Sequence, residues 1–400
     1  MRYDVCIVGA GLIGLGVGHA IVEKLPGVSV SIIDKEPEVA AHQSSHNSGV
    51  LHSGLYYLPG SLKARLCVEG GRLLETLCHE ESVRFRRTGK LVIATGVDEL
   101  GRLDELERRG QANGLAGLRR LGPAGITEFE PEAVGIDALY VPEAGVVDFP
   151  GVAKVLRRRL EANGVSIGLG RTVDRIREGA DGVSVLAAGE ELRAQLMINC
   201  AGLHSDRVAA LAGVKTKTRI VPFRGEYYTL AESQSHLVKS LIYPVPDPRF
   251  PFLGVHFTRR VDDLVEVGPN AVLALGREHY RGAAVDWTDV RETITGGAFW
   301  RLVGRHWWTG SLELLRSRSR SLYARSARRL VPAVRSEDLH RGGAGVRAQA
   351  LAPNGRLVDD FVIEETESMI HVLNAPSPGA TASLAIGAHI AALAERHLLG

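Results

Sequence analysis

Hydrophobic positions along this chain fall into short runs that end on glycine or on a single acid. Tyr3 to Val8 is an apolar run that reads as a strand, and it leads directly into Gly9-Ala10-Gly11-Leu12-Ile13-Gly14. A helix pattern from Ile13 to Leu25 follows, and a second strand, Val28 to Asp34, ends on a carboxylate. An acid about 20 residues beyond such glycines is the spacing of a dinucleotide-binding βαβ unit. Gly9 permits the tight strand-to-helix turn, Gly11 lets the backbone approach a pyrophosphate, and Gly14 lets the helix pack closely on the sheet. The helix N-terminus then offers N–H donors to phosphate, and Asp34 accepts from a ribose hydroxyl. Glycines in this pattern alone often mark nothing more than a loop; the strand before them, the helix after them and the terminal acid give them weight.

From Pro37 to Gly60 the periodicity lapses into Ser, His, Asn, Gly and Tyr, a mixture that favours a loop ordered around a polar ligand over a solvated linker. Regular patterning resumes with a helix from Ser61 to Cys78, a strand from Arg87 to Thr95 and a charged helix from Glu99 to Asn113. Leu139 to Val141 and Val146 to Asp148 flank Pro142-Glu143-Ala144-Gly145 as a hairpin, and Ile126 to Pro131 is a short turn. Beyond the helix Pro150 to Asn163 and the strand Ser166 to Leu169, alternating runs at Thr172 to Ile176 and Val183 to Val185 precede a buried strand, Leu196 to Cys200, that ends on Ala201-Gly202. Arg219 to Leu230 alternates as a strand, Tyr243 to Phe252 is a Pro-rich loop, and Leu253 to Thr258 is a strand again. Near the end, the strand Met369 to Leu373 runs into the Gly/Pro/Ser turn Asn374 to Ser383, which opens the helix Leu384 to Leu393. Small residues at a helix start suit an anionic or carbonyl-bearing ligand. A ligand touched by the start, middle and end of a chain must be large.

Composition narrows the setting. With 400 residues, 45% of them hydrophobic, the chain can bury a large core and fits two lobes better than one. Basic and acidic residues number 48 and 46, so net charge asks for neither nucleic acid nor an acidic surface. Cys6 and Cys200 sit in apolar runs and Cys67 and Cys78 in a helix, without metal-ligand spacing, so buried reduced thiols and no metal site are expected. The chain starts inside its first strand, and no run is long enough to span a bilayer, so a cytoplasmic protein is expected.

The glycines with Asp34, the internal Asn199-Cys200-Ala201-Gly202 and the C-terminal Pro378-Gly379-Ala380-Thr381 together resemble the FAD-dependent oxidoreductases of the D-amino-acid oxidase and glycerol-3-phosphate dehydrogenase superfamily. Longer and more specific motifs, His46-Asn47-Ser48-Gly49-Val50-Leu51-His52-Ser53-Gly54-Leu55-Tyr56-Tyr57, Pro59-Gly60-Ser61-Leu62-Lys63-Ala64 and Gly345-Val346-Arg347-Ala348-Gln349, are similar to those of the L-2-hydroxyglutarate dehydrogenase/oxidase family. The resemblance implies an α/β fold: a Rossmann-like FAD-binding domain at 1–85, 146–214 and 338–400, and an inserted α+β substrate domain on a mixed antiparallel sheet at 86–145 and 215–337. It implies FAD contacts at Gly9, Gly11, Gly14, Asp34, Lys35, Ser44, Ser45, Asn47, Ser48, Val173, Ala201, Gly202, Pro378, Gly379, Ala380 and Thr381. It also implies oxidation of a small 2-hydroxy acid, L-2-hydroxyglutarate to 2-oxoglutarate by hydride transfer to the flavin, with electrons passed on to oxygen or a quinone pool.

Because the flavin performs the redox step, the protein need only bind, orient and move a proton. A base that works near neutrality points to histidine, and His52 and His256 are both candidates between which the sequence does not choose. The substrate carboxylate calls for a bidentate donor, which Arg347 supplies; Tyr56 either adds a phenol donor near the same anion or packs under the ring. A second carboxylate needs another cation, for which Arg224, Arg260 and Lys63 are available. The segment Phe299 to Arg329 gathers Phe299, Trp300, Trp307 and Trp308, followed by six arginines from Arg316 to Arg329. It is expected as an amphipathic helix pair packing its aromatics on the substrate domain, with a peripheral membrane foot as the alternative. A flavin-dependent amino-acid oxidase of the same fold is the enzymatic rival. A nucleic-acid-binding flavoprotein is the distant one, and the absence of an RNA-binding motif counts against it, so no nucleic-acid partner is expected.

Overall fold

A computed structural model describes residues 1–248, 253–280 and 285–399, the side chains at 306, 308, 309 and 311–318 excepted. Two large mixed sheets carry the architecture. In the first, Ser166–Gly168, Val30–Ile33, Arg2–Val8, Glu190–Asn199 and Met369–Asn374 lie side by side and parallel. Their unbroken apolar runs follow from that arrangement, since a parallel strand is covered on both faces. Val5, Ile7, Leu196, Ile198 and Ile370 are all fully buried in one cluster with the helices Leu12–Lys24, Phe149–Ala162 and Ser383–Leu399. Antiparallel strands Val173–Gly179, Gly182–Ala187 and Val362–Glu365 complete this sheet of eight.

The second sheet has nine strands. Its longest pairing joins Arg219–Leu230 to Leu339–Leu351 antiparallel, with Phe223 opposite Arg347. Leu339–Leu351 thus falls by pairing in this sheet, although it lies within the 338–400 segment expected with the first. On the other side run Val265–Gly268, His256–Arg259, Leu241–Pro244, Lys90–Ala94 and Asp137–Val141. Leu241–Pro244 and Lys90–Ala94 are parallel, and the remaining pairs are antiparallel.

Several local expectations need correction. Asp137–Val141 and Gly145–Val147 do not form a hairpin: the first pairs with Lys90–Ala94 in the large sheet, and the second with Val50–Leu51 and Phe85–Arg87 in a three-stranded one. The turn between them hands the chain from one sheet to another, a tertiary event that local turn chemistry does not encode. For the same reason the single strand Arg87 to Thr95 is two, broken at Gly89, whose φ of +68° a side chain would strain. The turn at Ile126 to Pro131 is mostly the end of a helix, Pro123–Phe129, and the strand expected at Leu253 starts at His256. Tyr243 and Pro244 end a strand rather than open a loop, and residues 249–252 of that loop lie outside the described ones.

The aromatic and arginine-rich segment is two helices, Gly297–Arg318 and Arg320–Ala327. Phe299 and Leu302 pack on Val221 and Leu351, and Tyr323, Ala324 and Ala327 are fully buried beneath the second sheet. Trp300 and Trp307 remain 59% and 61% exposed, so these two do not pack inward as expected, while the side chains of Trp308, Arg316 and Arg318 lie outside the described ones.

Candidate active site where the sheets meet

Parallel strands all end at one edge, and the first sheet therefore delivers Gly9, Asp34, Ala201 and Ala375 to the same place. At Gly9, φ is +110° and a Cβ would lie 2.4 Å from the Cys200 carbonyl oxygen; at Gly14 a Cβ would lie 1.9 Å from the Gly9 carbonyl oxygen. Neither position tolerates a side chain without moving the helix off the strand. Asp34 accepts N–H bonds from Ala10 at 2.6 Å and Glu36 at 2.9 Å, which fixes its carboxylate at the mouth of the turn.

The polar stretch after Pro37 is ordered by its own side chains. Ser44 accepts from the Leu12 amide at 3.0 Å, and Asn47 donates to the carbonyls of Gln43 and Ser44 at 3.0 and 2.9 Å. Thr381 accepts from the His52 amide at 3.1 Å and so ties this loop to the C-terminal turn. Lys35 bridges Glu36 and Glu278, and the His204 hydrogen bond, helped by Lys35, holds the Glu278 carboxyl down at about 2.

A continuous cavity of about 920 Å³ joins these elements to the second sheet. Where the first sheet ends, it is lined by Gly9, Gly11, Asp34, Lys35, Val173, Ala201 and Gly202, and the connecting loops add Ser44, Asn47, Ser48 and the turn Pro378 to Thr381. Facing them, the second sheet contributes His256 and Arg347, and the polar loop His52 and Tyr56. Three expected residues stand off the wall: Gly14 packs under the turn, Ser45 lies outside the lining, and Arg224 does too, with Glu226 beside its guanidinium. Of the cations named for a second carboxylate, Lys63 lines the cavity, bonded through Nζ to Asp359 at 2.8 Å; Arg260 instead reaches Glu266 at 2.8 Å, away from it.

The two histidines differ. His256 Nδ1 lies 2.9 Å from the Gly254 carbonyl oxygen, which can only accept, so Nδ1 carries the proton and Nε2 keeps its lone pair. Its ring stacks on Tyr243 at 4.0 Å between centroids. His52 instead places Nε2 at 3.3 Å from the Ser377 hydroxyl. Burial above all, with the nearby cations Lys90, Lys63 and Arg347, pulls His52 down to about 3, and burial with Arg347 and Lys90 does the same to His256. Both imidazoles are neutral acceptors across the physiological range.

Three residues here escaped the sequence reading. Tyr227 and Tyr243 line the cavity, and Tyr227 hydrogen-bonds Arg347 and Ser48, holding the guanidinium in place. Lys90 is fully buried behind Tyr56 and Tyr243. The signal for Lys90 was available: a lysine opening the otherwise apolar strand Lys90–Ala94 is out of place unless it has a task.

The residues fit a flavin dinucleotide. A glycine-capped helix start carries no acidic residue in its first turn, a fixed carboxylate stands at the ribose position, and the Tyr56 hydroxyl is buried without a protein partner at the opposite end. Fold and site together define a class: residues 4–393 match the FAD dependent oxidoreductase family, and the chain belongs to that family. Its relatives are more particular. Over 388 residues it is 44% identical to the L-2-hydroxyglutarate dehydrogenase of Indibacter alkaliphilus, covering 97% of each chain. The human mitochondrial L-2-hydroxyglutarate dehydrogenase is 40% identical over 406 residues, covering 97% of this chain and 88% of that one. Among solved structures, the dithionite-reduced L-alpha-glycerophosphate oxidase of Mycoplasma pneumoniae with FAD bound superposes with a TM-score of 0.80 at 22% identity, covering 100% and 95% of the two chains. Glycine oxidase from Geobacillus kaustophilus follows at 0.73 and 20%, covering 99% and 95%. The protein is an FAD-dependent dehydrogenase of the hydroxy-acid type, and no helix among its described residues is long and apolar enough to cross a membrane.

Gly14→Val places branched carbon against the Gly9 carbonyl and is expected to yield protein that folds but purifies with its flavin absorbance largely lost. A variant with full flavin content would show that the helix start is not the phosphate site.

Proposed function

We propose that this protein oxidises L-2-hydroxyglutarate to 2-oxoglutarate, using FAD bound along the cavity between the sheets. The observation that carries this reading is that one cavity joins the dinucleotide turn to Arg347 and a neutral His256, in a chain whose near-full-length relatives are L-2-hydroxyglutarate dehydrogenases. Bound FAD supplies the acceptor for the hydride that leaves the substrate's α carbon. Arg347, braced by Tyr227, grips the α-carboxylate bidentately and so orients the α carbon. His256 Nε2 takes the hydroxyl proton as the carbonyl forms, the Gly254 carbonyl keeping Nδ1 protonated and the ring aimed. Its depressed basicity belongs to the site without substrate; the negative charge of a bound dicarboxylate offsets Arg347 and Lys90 and raises it. His52 orders the loop beside the substrate, and Lys63 is the cation on the wall for the second carboxylate. By strand pairing we assign 1–85, 146–214 and roughly 352–400 to the FAD-binding lobe, and the second sheet, Leu339–Leu351 included, to the substrate lobe.

The direct test is anaerobic bleaching of the flavin by L-2-hydroxyglutarate, its D-isomer, L-lactate, glycerol-3-phosphate and glycine in parallel. Rapid bleaching by the first alone is expected; bleaching by glycine alone would establish the amino-acid oxidase reading instead. In the same assay Arg347→Ala should raise KM roughly 100-fold with FAD retained, and an unchanged KM removes Arg347 from the site. His256→Gln should slow flavin reduction by about 10²- to 10⁴-fold and His52→Gln by much less; the reverse order would transfer the base to His52.

A second observation bears on the electron acceptor. Trp287, Trp300 and Trp307 are 77%, 59% and 61% exposed, and exposed tryptophans on successive helices support a peripheral membrane contact, through which a quinone would be the acceptor. Co-sedimentation of the holoenzyme with anionic vesicles, abolished by Trp300→Ser with Trp307→Ser, is the expected result; no sedimentation of the wild type rules the contact out.

A further inference from the structure

Lys90 opens an interior strand of the second sheet, paired with Leu241 on one side and Val141 on the other, and is 1% exposed. Its ammonium lies 4.4 Å from the ring centroid of Tyr56 and 5.2 Å from that of Tyr243. Both rings line the cavity, so Lys90 stands one ring behind its wall. Among the described residues no carboxylate pairs with it. The titratable groups around it are the Cys67 thiol on the helix Leu62–Glu80, pushed by burial up to about 12, the two tyrosines, and the neutral His52 and His256. None of them carries a negative charge. A buried cation facing only ring quadrupoles is costly, and proteins seldom keep one without a counter-charge.

We infer that Lys90 is a specificity-determining charge of this site, its missing counter-charge arriving with a dicarboxylate substrate. This inference rests on the proposed substrate class and adds to it. Arg347 satisfies the carboxylate that every 2-hydroxy acid carries, whereas Lys90 rewards only the additional negative charge of a diacid, acting through the two rings rather than by contact. Burial pulls the empty-site amine down to about 7. Above that pH the unliganded site holds mostly neutral lysine, and entry of a dianion restores the ammonium, so a proton must be drawn from solution. Below it the lysine is already charged and binding takes up none.

The test uses oxidised holoenzyme and calorimetric titration with 2-oxoglutarate, against monoanionic 2-oxobutyrate, in two buffers of different ionisation heat. At pH 8 the wild type should take up a proton with the dianion but not with the monoanion; at pH 6 it should take up none. Its KM for L-2-hydroxyglutarate should climb as pH rises through 7. Lys90→Met, close in shape and free of the buried charge, should keep its flavin and thermal midpoint, lose the proton uptake, and show a KM raised roughly tenfold and independent of pH, with kcat little changed. Wild-type binding at pH 8 without proton uptake overturns the role of Lys90 while leaving the substrate reading intact, and needs no variant. If the wild type binds no dicarboxylate, the substrate reading falls and this inference with it. Loss of flavin or of thermal stability in Lys90→Met, with proton uptake absent from the wild type, would make the lysine structural.

Discussion

Everything in this molecule depends on the direction of five strands. Ser166–Gly168, Val30–Ile33, Arg2–Val8, Glu190–Asn199 and Met369–Asn374 run parallel, so their carboxyl ends share an edge although they come from the beginning, middle and end of the chain. A parallel strand cannot turn back on its neighbour and must cross over through a long connection. Those connections are where the rest of the protein is stored: the second sheet is built from two excursions, and its strands return Arg347 and His256 to the edge the first sheet defines. A large ligand lying along that edge is held by groups that no short stretch of sequence contains.

The second sheet solves a different problem. Its face must be apolar enough to exclude water yet must hold cations. Arg347 manages this through Tyr227, whose hydroxyl bonds the guanidinium; Lys63, on the neighbouring helix Leu62–Glu80, is held by Asp359. His256 manages it by being neutral, its Nδ1 proton spent on a backbone carbonyl and its ring stacked on Tyr243. Around His256 and Arg347 the second sheet thus presents a guanidinium and an uncharged proton acceptor, the polarity that the proposed negatively charged, proton-losing substrate requires.

What the sequence disclosed and what it hid divide along the same line. Local rules carried the dinucleotide turn, because the glycines, the apolar strand and Asp34 lie within one βαβ unit, and they carried the long strand Arg219–Leu230 through its alternation. Arg347 was legible because it sits within a motif. They failed where the chain changes sheet: Val141 and Gly145 look like two sides of a hairpin until the neighbours of each are known. Arg224 was a plausible ligand by type, but it pairs with Val346 while its neighbour Phe223 pairs with Arg347, so alternation turns it to the sheet face opposite Arg347, a register known only from the partner strand. The difference between His52 and His256 on which the proposed base rests, a ring nitrogen fixed by a backbone carbonyl, is likewise a tertiary detail.

Lys90 joins these two threads. Its burial costs the fold something at every pH where it is charged, and a methionine there would serve packing as well. A sequence under pressure for stability alone has no reason to place an ammonium between two tyrosines with no acid among the described residues paired to it. On the proposed reading the ligand completes the structure: Lys90 meets a counter-charge only when an anionic substrate enters, and the basicity of His256, held down by burial, Arg347 and Lys90, rises with it. If that reading holds, specificity for a doubly charged acid and activation of the proposed base are two consequences of one unpaired charge built into the second sheet.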